Sequence, residues 1–176
     1  HRTSFMHGDD YHRWQRGNEN WQNYTHLNPH ANQLDQLAIN TRLLRGGKAI
    51  FHHSYDHKSG RFTAPQPMLA RKTLIIQGLH TLYLRKLREQ IDIKIFLEPD
   101  ENLRKVWKIH RDIAERNKEK NTVLDSINER KGDASTFITP QRQYADWIIE
   151  VYPINDLSDE KIQIGTRHIL WNDITL

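Results

Sequence analysis

Two adjacent carboxylates, Asp9 and Asp10, follow a short apolar segment and precede a histidine and two arginines in the stretch GDDYHRWQR. A carboxylate can accept a proton from a hydroxyl nucleophile that lies within hydrogen-bonding distance. The guanidinium groups of Arg13 and Arg16 suit anionic ligands with several oxygens, such as phosphates. Asp9 is therefore the candidate general base beside a phosphorylated ligand. The alternative is that these carboxylates only cap a helix or accept hydrogen bonds from loop amides.

Two other polar segments could contribute to the same site. GLHTLY, residues 78–83, directly follows the apolar run TLIIQ, and KIHRDIAER, residues 108–116, carries Arg111 and Arg116 on a predicted helix. In open α/β sheets, ligands collect where the carboxyl ends of strands meet the starts of helices. The alternative for the basic helix is a solvated face of an unrelated α/β protein, although such a face usually mixes in more acids.

Three histidines, His52, His53 and His57, lie close together in the stretch HHSYDHKSGRFTAPQP. A zinc site built from them needs further ligands that the sequence does not place, so a surface loop with incidental histidines is the favoured interpretation. The absence of cysteine excludes thiolate catalysis, thiolate metal ligation and disulfides. G-x-S-x-G and H-E-x-x-H are also absent, which removes the usual support for those enzyme classes.

Length and composition predict one soluble domain over residues 1–176. The formal net charge of +4 is modest, and basic side chains are interspersed with acids, so nucleic acid is not an expected partner. No run of about 18 apolar residues and no signal-peptide pattern occurs, so a membrane is not expected either. The lack of cysteine favours the cytoplasm. Because the opening segment is typical of the interior of a fold, we expect further chain before His1.

Five short apolar or β-branched runs, each bounded by Gly, Pro or Asp, predict strands. In chain order they are TSFMHG, TLIIQGL, IDIKIFLEP, ADWIIEVYP and KIQIGTRHIL. Two of them are almost continuously apolar and helical patterns separate most of them. The expected fold class is therefore α/β, a mostly parallel sheet with helices on both faces. The polar stretch from His52 to Pro67 is expected to form a loop or a small hairpin.

Three segments show helical periodicity. The first starts near Pro29 and stops at Gly46, and its predicted inward face comprises Leu34, Leu37, Ala38, Thr41 and Leu44. The second begins after Asp100 as N-cap, and its predicted inward residues are Leu103, Val106, Trp107 and Ile113. The third runs from Thr122 to Arg130. Aromatic residues divide into two groups: Trp107 and Trp147 are assigned to the core, whereas Trp14 and Trp21 could stack on a base or sugar.

Taken in order, five segments resemble the phosphoribulokinase and uridine kinase family of P-loop small-molecule kinases, almost from end to end of the chain. They are GDDYHRWQR, THLNPHANQLD, GLHTLY, KIHRDIAERN and PQRQYADWII. The resemblance implies a P-loop kinase-like three-layer α/β/α fold that is incomplete at its N-terminus. It also implies transfer of the terminal phosphoryl group of ATP, with Mg²⁺, to a hydroxyl of a nucleoside, sugar or sugar phosphate. A homodimer is expected from the resemblance alone.

The resemblance also implies roles for individual residues. Asp9 would be the base that orients and deprotonates the acceptor hydroxyl. The residues that would hold the acceptor or line its side of the site are His12, Arg13, Arg16, His26, Asn28, Tyr55, His57 and His80. A lid helix would carry Arg111 and Arg116 towards nucleotide or acceptor phosphates, with Asp112 organising the metal or the basic cluster. Asp9 and the lid arginines are expected to converge on one pocket.

Three departures from the family pattern stand out. No G-x-x-x-x-G-K-[ST] phosphate cradle occurs in the chain, and we expect it upstream of His1. Gln77 stands where the family usually has a glutamate near Mg²⁺, and an amide oxygen can still serve that metal directly or through water. Asn117 stands where glycine is frequent, a substitution that asparagine tolerates. These departures keep a second hypothesis open, a catalytically inactive kinase-like domain that binds an anionic metabolite or a partner protein.

Overall fold

The computed structural model describes residues 2–114, 119–159 and 161–170, with only the backbone of residue 22. The chain divides into two compact units, each considered by itself below. They comprise His1–Asp92 with Asp133–Pro140, and Ile93–Gly132 with Gln141–Leu176. The expectation of a single domain stays a prediction.

The first unit contains six strands and two α-helices. The strands are β1 (Thr3–His7), β2 (Ile50–His52), β3 (Tyr55–Asp56), β4 (Arg61–Phe62), β5 (Gln66–Met68) and β6 (Thr73–Gln77). The helices are α1 (Leu34–Arg45) and the one-turn α2 (Arg85–Arg88). Short 3-10 turns span Gly8–Tyr11, Glu19–Gln22 and Pro29–Ala31, and a π-helical turn spans Ala134–Ile138.

The centre of this unit is a parallel pair, β1 and β6, in which Met6 is aligned with Ile76 and His7 with Gln77. Alternate side chains of a strand point to opposite faces, so one face of the pair can be buried while the other stays open. Met6 is 1% exposed and packs in the core with Leu37 of α1, whereas Phe5 on the opposite face is 51% exposed. The pair therefore presents its carboxyl ends, with the loops that follow them, beside α1.

Helix α1 forms as its periodicity predicts. All five residues predicted to face inward, Leu34, Leu37, Ala38, Thr41 and Leu44, are buried. The helix ends at Arg45, and Gly47 adopts a φ of +78°, a backbone conformation that glycine permits at little cost. The predicted face and stop of this helix are confirmed, but the predicted start near Pro29 is wrong: Pro29 opens a separate 3-10 turn, and the helix begins at Leu34.

The polar stretch that follows α1 forms two small antiparallel ladders. Strand β2 pairs with β5, and β3 pairs with β4 to form a hairpin. Two backbone hydrogen bonds stabilise this region: Gly60 N–H donates to Asp56 O at 2.7 Å, and Thr63 N–H donates to Ser54 O at 2.8 Å. The prediction of a loop or small hairpin is confirmed, and we call residues 55–62 the hairpin below.

The second unit contains the remaining strands and its own helices. Its strands are β7 (Ile95–Pro99), β8 (Trp147–Pro153) and β9 (Ile164–Leu170). Its helices are α3 (Glu101–Ala114) and α4 (Lys120–Glu129). Two short elements, α5 (Lys131–Asp133) and a 3-10 segment (Thr139–Tyr144), have residues in both units. Strand β8 is central, parallel to β7 and antiparallel to β9. All five predicted strands are thus present, and the α/β fold class is confirmed.

Helix α3 starts as predicted, but only part of its predicted inward face is buried. The carboxylate of Asp100 accepts hydrogen bonds from the backbone N–H groups of Asn102 and Leu103, at 2.9 and 3.0 Å, as an N-cap does. Leu103 is fully buried, but Trp107 and Ile113 are 39% and 41% exposed, so their assignment to the inward face is wrong. The physical reason is that a carboxylate, described below, occupies the buried position in the last turn.

In the described residues, no helix has both the length and the apolar character needed to span a bilayer.

Candidate active site

A cavity lies at the carboxyl ends of β1 and β6, where the sequence predicts a ligand site. Its lining comes from three stretches of the chain that the folded first unit brings together. The lining residues are Gly8, Asp9, His12, His26, Asn32, Leu34, Leu37, Leu79, His80 and Thr81. Four predicted site residues, one carboxylate and three histidines, therefore share one cavity.

The two neighbouring aspartates have different environments. The side chain of Asp9 is 50% exposed, and its Oδ2 lies 3.2 Å from Nε2 of His57 on the hairpin. The side chain of Asp10 is 8% exposed; its Oδ1 accepts a hydrogen bond from the backbone N–H of Tyr55 at 2.7 Å, and its Oδ2 lies 3.8 Å from Nδ1 of His52. Asp10 thus anchors the hairpin, whereas Asp9 is available to a ligand. The loop-amide alternative applies to Asp10.

His12 is buried within a group of aromatic rings. Its ring contacts those of Trp21 and Tyr55 edge-on, with centroids 5.8 and 5.0 Å away, and that of His26 at 6.0 Å. Trp21 in turn stacks on Tyr55 with an interplanar angle of 12°. These contacts restrict the position of the His12 ring. Stacking of Trp14 or Trp21 on a base or sugar stays a prediction.

The two arginines of the first motif bind backbone carbonyls. Arg13 donates from Nε to His30 O at 2.9 Å, and Arg16 donates from Nη2 to His57 O at 2.9 Å and from Nη1 to Lys58 O at 3.3 Å. A guanidinium carries five N–H donors, so these bonds do not exhaust its capacity to bind an anion. Both arginines therefore hold loops around the cavity, and acceptor binding by them stays a prediction.

Asn28 and Tyr55 do not line the cavity but support its walls. The side chain of Asn28 accepts a hydrogen bond from the backbone N–H of His30 at 3.0 Å and caps the 3-10 turn that begins at Pro29. The ring of Tyr55 contacts the ring of His57 at 5.2 Å, and so links the hairpin to the site. Their predicted contact with an acceptor stays a prediction.

His80, which follows β6, is held as a neutral donor. Its Nε2–H donates to the carbonyl oxygen of Leu27 at 2.9 Å, because a carbonyl can only accept. Burial lowers the pKa of His80 from its ordinary 6.5, against a smaller opposing effect of the Leu27 hydrogen bond. The imidazole therefore binds its second, titrating proton more tightly in the unfolded chain than in the native protein.

This pKa shift predicts an acid-sensitive stability. The free energy of unfolding should fall as the pH drops below about 6.5, until the lowered native pKa has been passed. His80→Gln keeps a donor for Leu27 but removes the titration, so it should weaken the pH dependence measured by urea unfolding. The same change at the exposed His110 should leave the wild-type slope. Equal slopes in all three proteins would contradict the prediction.

Gln77, at the end of β6, contacts the neighbouring strand end. Its Nε2 donates to Nδ1 of His7 at 2.6 Å, which leaves the amide oxygen as the group that could bind Mg²⁺ or its water.

Among the residues that the structure describes, no three His, Asp or Glu side chains form a metal-binding group. Instead, the rings of His52 and His53 donate to the carbonyls of His53 and Thr63. The zinc alternative for these histidines therefore has no support in the structure.

In the second unit, Asp112 is a buried carboxylate on α3. Its side chain is 1% exposed; Oδ1 accepts from Nε of Arg111 at 3.3 Å, and Oδ2 lies 3.7 Å from Nζ of Lys108. Organisation of the metal or of the basic cluster by Asp112 stays a prediction. Arg116, like Asn117, lies outside the described residues. The expected convergence of Asp9 with Arg111 stays a prediction.

Sequence reasoning missed two contributions, Asn32 and the close approach of Gly8 to Gly78, which depend on the folded structure. It offered the loop-amide role without deciding which aspartate has it. Only the glycines carried a usable signal, because each stands at a strand end directly before a polar segment.

The chain was compared with known proteins. A model of the Phosphoribulokinase / Uridine kinase family matches residues 2–158. The chain is 36% identical over 156 residues to the phosphoribulokinase of Synechocystis sp., which covers 89% of this chain and 47% of that protein. It is 31% identical over 148 residues to uridine-cytidine kinase A of Dictyostelium discoideum, which covers 83% of this chain and 29% of that protein. The chain thus spans less than half the length of these relatives.

A solved structure gives the same picture of the fold. The phosphoribulokinase from Rhodobacter spheroides matches with a TM-score of 0.75 at 23% sequence identity, covering 90% of this chain and 63% of that one. At this identity the likeness shows the fold alone.

Proposed function

The chain belongs to the phosphoribulokinase / uridine kinase family, and from this premise we propose that it forms the acceptor-binding part of an ATP-dependent kinase. The acceptor is a small metabolite whose free hydroxyl receives the phosphoryl group: a nucleoside, a sugar or a sugar phosphate. The observation that carries the proposal is the cavity in which half-exposed Asp9 meets His12, His26 and His80. The absence of cysteine suits a reducing compartment such as the cytoplasm.

In the proposed reaction Asp9 is the general base, because its half-exposed carboxylate lines the cavity. The acceptor hydroxyl oxygen forms the new bond to the terminal phosphorus of ATP, the bond from that phosphorus to the ADP oxygen breaks, and the hydroxyl proton passes to Asp9. Phosphoryl transfer depends mainly on positioning and charge neutralisation, so one correctly placed carboxylate is enough for the proton. His57, 3.2 Å from Asp9 Oδ2, orients the carboxylate. A carboxylate has further lone pairs, so this contact leaves it able to accept.

The residues around Asp9 favour an acceptor with several polar groups. Imidazoles can accept from or donate to hydroxyls, and the Arg13 and Arg16 guanidinium groups suit a phosphate. A sugar phosphate would use both kinds of group, whereas a nucleoside would use the aromatic rings near His12. When bound, Mg²⁺ neutralises charge on the transferring phosphates, and the amide oxygen of Gln77 would help to hold it.

A second function remains a candidate because of Gln77. A neutral amide binds Mg²⁺ more weakly than the family's carboxylate, and its nitrogen is already bound to His7. An inactive domain would bind an anionic metabolite or a partner protein through the same basic and imidazole groups.

The two functions can be separated with the full-length protein that contains this chain. Phosphoryl transfer from ATP should be assayed against a panel of nucleosides, pentoses and pentose phosphates, with Mg²⁺. Titration calorimetry should measure ATP binding with and without the metal. We expect tight Mg²⁺-dependent ATP binding and turnover with one class of acceptor. Acceptor binding without ATP binding would support the inactive domain instead.

Replacing Gln77 with glutamate should lower the Mg²⁺ concentration required for half-maximal activity severalfold. A carboxylate is a stronger ligand for this hard cation than an amide oxygen, and it restores the charge that the family usually has there. Initial rates measured against free Mg²⁺ at saturating ATP test this expectation. Gln66→Glu, which adds the same charge on β5, is the matched control. An unchanged Mg²⁺ dependence would place Gln77 away from the metal.

A further inference from the structure

The hydrogen bonds of Asn32 fix which end of its amide faces His12. The side chain of Asn32 is buried, and its Nδ2 lies 3.2 Å from the carbonyl oxygen of His26 and 3.0 Å from that of Asn28. Carbonyl oxygens only accept hydrogen bonds, so the NH₂ group of Asn32 must be the one that faces them. The other end of the amide, Oδ1, therefore faces His12.

This orientation determines the tautomer of His12. Nδ1 of His12 lies 3.0 Å from Oδ1 of Asn32, and both residues are buried. An amide oxygen has no proton to donate, so the proton of this hydrogen bond belongs to Nδ1. In the neutral imidazole the second nitrogen, Nε2, is then an acceptor with no proton.

Backbone contacts hold the two residues in register. His12 and Asn32 form an isolated antiparallel bridge, and Gln33 donates from its backbone N–H to Tyr11 O at 2.7 Å. The side-chain Nε2 of Gln33 also donates to His12 O at 3.2 Å, and Nη2 of Arg13 donates to Asn32 O at 3.4 Å. Thus the first motif and the segment before α1 are joined at the point where His12 and Asn32 line the cavity.

We infer that Asn32 is a positioning residue that holds His12 with its proton on Nδ1, so that Nε2 is the atom that recognises the acceptor. This inference rests on the proposed function for the identity of the ligand. In the neutral imidazole Nε2 accepts a hydrogen bond, so in that form the group that His12 recognises is a donor, which we assign to a hydroxyl of the acceptor. A phosphate oxygen can also only accept, and it would need the arginines instead.

The tautomer can be measured directly. In the full-length protein with ¹⁵N-labelled histidine, two-bond correlations between ring nitrogens and carbon-bound protons distinguish the two neutral forms, and a His12→Gln variant assigns the signals. Well above the pH range in which imidazoles titrate, we expect His12 to carry its proton on Nδ1. A proton on Nε2 would overturn the inference, whether or not the protein transfers phosphate.

Variants of Asn32 test the positioning role. Asn32→Ala removes the acceptor of Nδ1–H, so His12 should populate both tautomers, and kcat/KM for the acceptor should fall about 10- to 100-fold, chiefly through KM. The KM for ATP should change little. Asn32→Asp keeps an oxygen opposite Nδ1 and should keep the proton on Nδ1, but its second oxygen faces the carbonyl oxygens of His26 and Asn28, so this variant should also lose stability. If neither variant folds, the tautomer of His12 in the wild-type protein still decides the question.

Asn40→Ala is the matched control, because Asn40 is a second buried asparagine of the same unit. Its Nδ2 donates to the hydroxyl of Tyr11 at 2.9 Å, so its loss costs stability without changing a histidine tautomer. A His12 tautomer that is unaffected by Asn32→Ala in an active kinase would refute the inference and leave the proposed function intact. A tautomer that responds to Asn32→Ala in a protein without phosphoryl transfer would support the positioning role and reject the kinase.

Discussion

Asp9→Asn is expected to lower kcat for phosphoryl transfer by about 10²- to 10⁴-fold, the usual contribution of a positioned general base. An asparagine has nearly the same shape but cannot take the hydroxyl proton. Because the Asp9 side chain is 50% exposed and its contact with His57 is open to solvent, the folded state should lose little stability. Steady-state kinetics on the full-length protein, paired with urea unfolding, measures both effects.

The adjacent carboxylate provides the control for this prediction. Asp10 is 8% exposed and accepts the backbone N–H of Tyr55, so Asp10→Ala should cost about 1.5–3 kcal/mol of stability, the usual value for a hydrogen bond to a charged group. Its effect on kcat should be much smaller than that of Asp9→Asn. Undiminished turnover in Asp9→Asn would remove Asp9 from the role of base. Equal losses of kcat in both variants would indicate that the motif acts only through folding.

Gly78→Ala is expected to damage both the site and the fold. A Cβ at Gly78 would lie 2.9 Å from Cα and 3.2 Å from N of Gly8, and Gly78 has a φ of +156°, which side-chain-bearing residues rarely adopt. Backbone atoms cannot rotate away as a side chain does, so the ends of β1 and β6 must separate. Because Asp9 follows Gly8 directly, we expect its carboxylate to move. A displacement of the carboxylate by about 1 Å should reduce kcat about 100-fold.

The same substitution should also cost about 1–3 kcal/mol of stability, as overpacking usually does. Gly132→Ala is the matched control: a Cβ there meets nothing within 4 Å, so both activity and stability should stay near wild type. Thermal unfolding and acceptor kinetics on the two variants test the contact between strand ends. Wild-type kcat in Gly78→Ala would show that the approach of Gly8 and Gly78 does not position Asp9.

Local patterns predicted the elements well where one contact face dominates. The five strands predicted from the sequence are all present. The inward face of α1 from Leu34 to Leu44 is buried because its apolar residues recur at the helical period. The same rule was right for Leu103 of α3 but wrong for Trp107, which is exposed, and it did not predict that Asp112 is buried. Periodicity assumes that apolar residues compete best for the interior, but a carboxylate paired with Lys108 and Arg111 can also occupy it.

By itself, the sequence determined the family, the α/β class, the strands and the short list of polar residues from which a site could be built. It did so because chemistry at strand ends needs particular residue types, and hydrophobic periods report local structure. Only the tertiary structure decided that Asp9 faces the cavity while Asp10 anchors the hairpin, and that Asn32 sets the tautomer of His12. Those assignments depend on hydrogen bonds between residues 20 and 45 positions apart, whose partners no local pattern specifies.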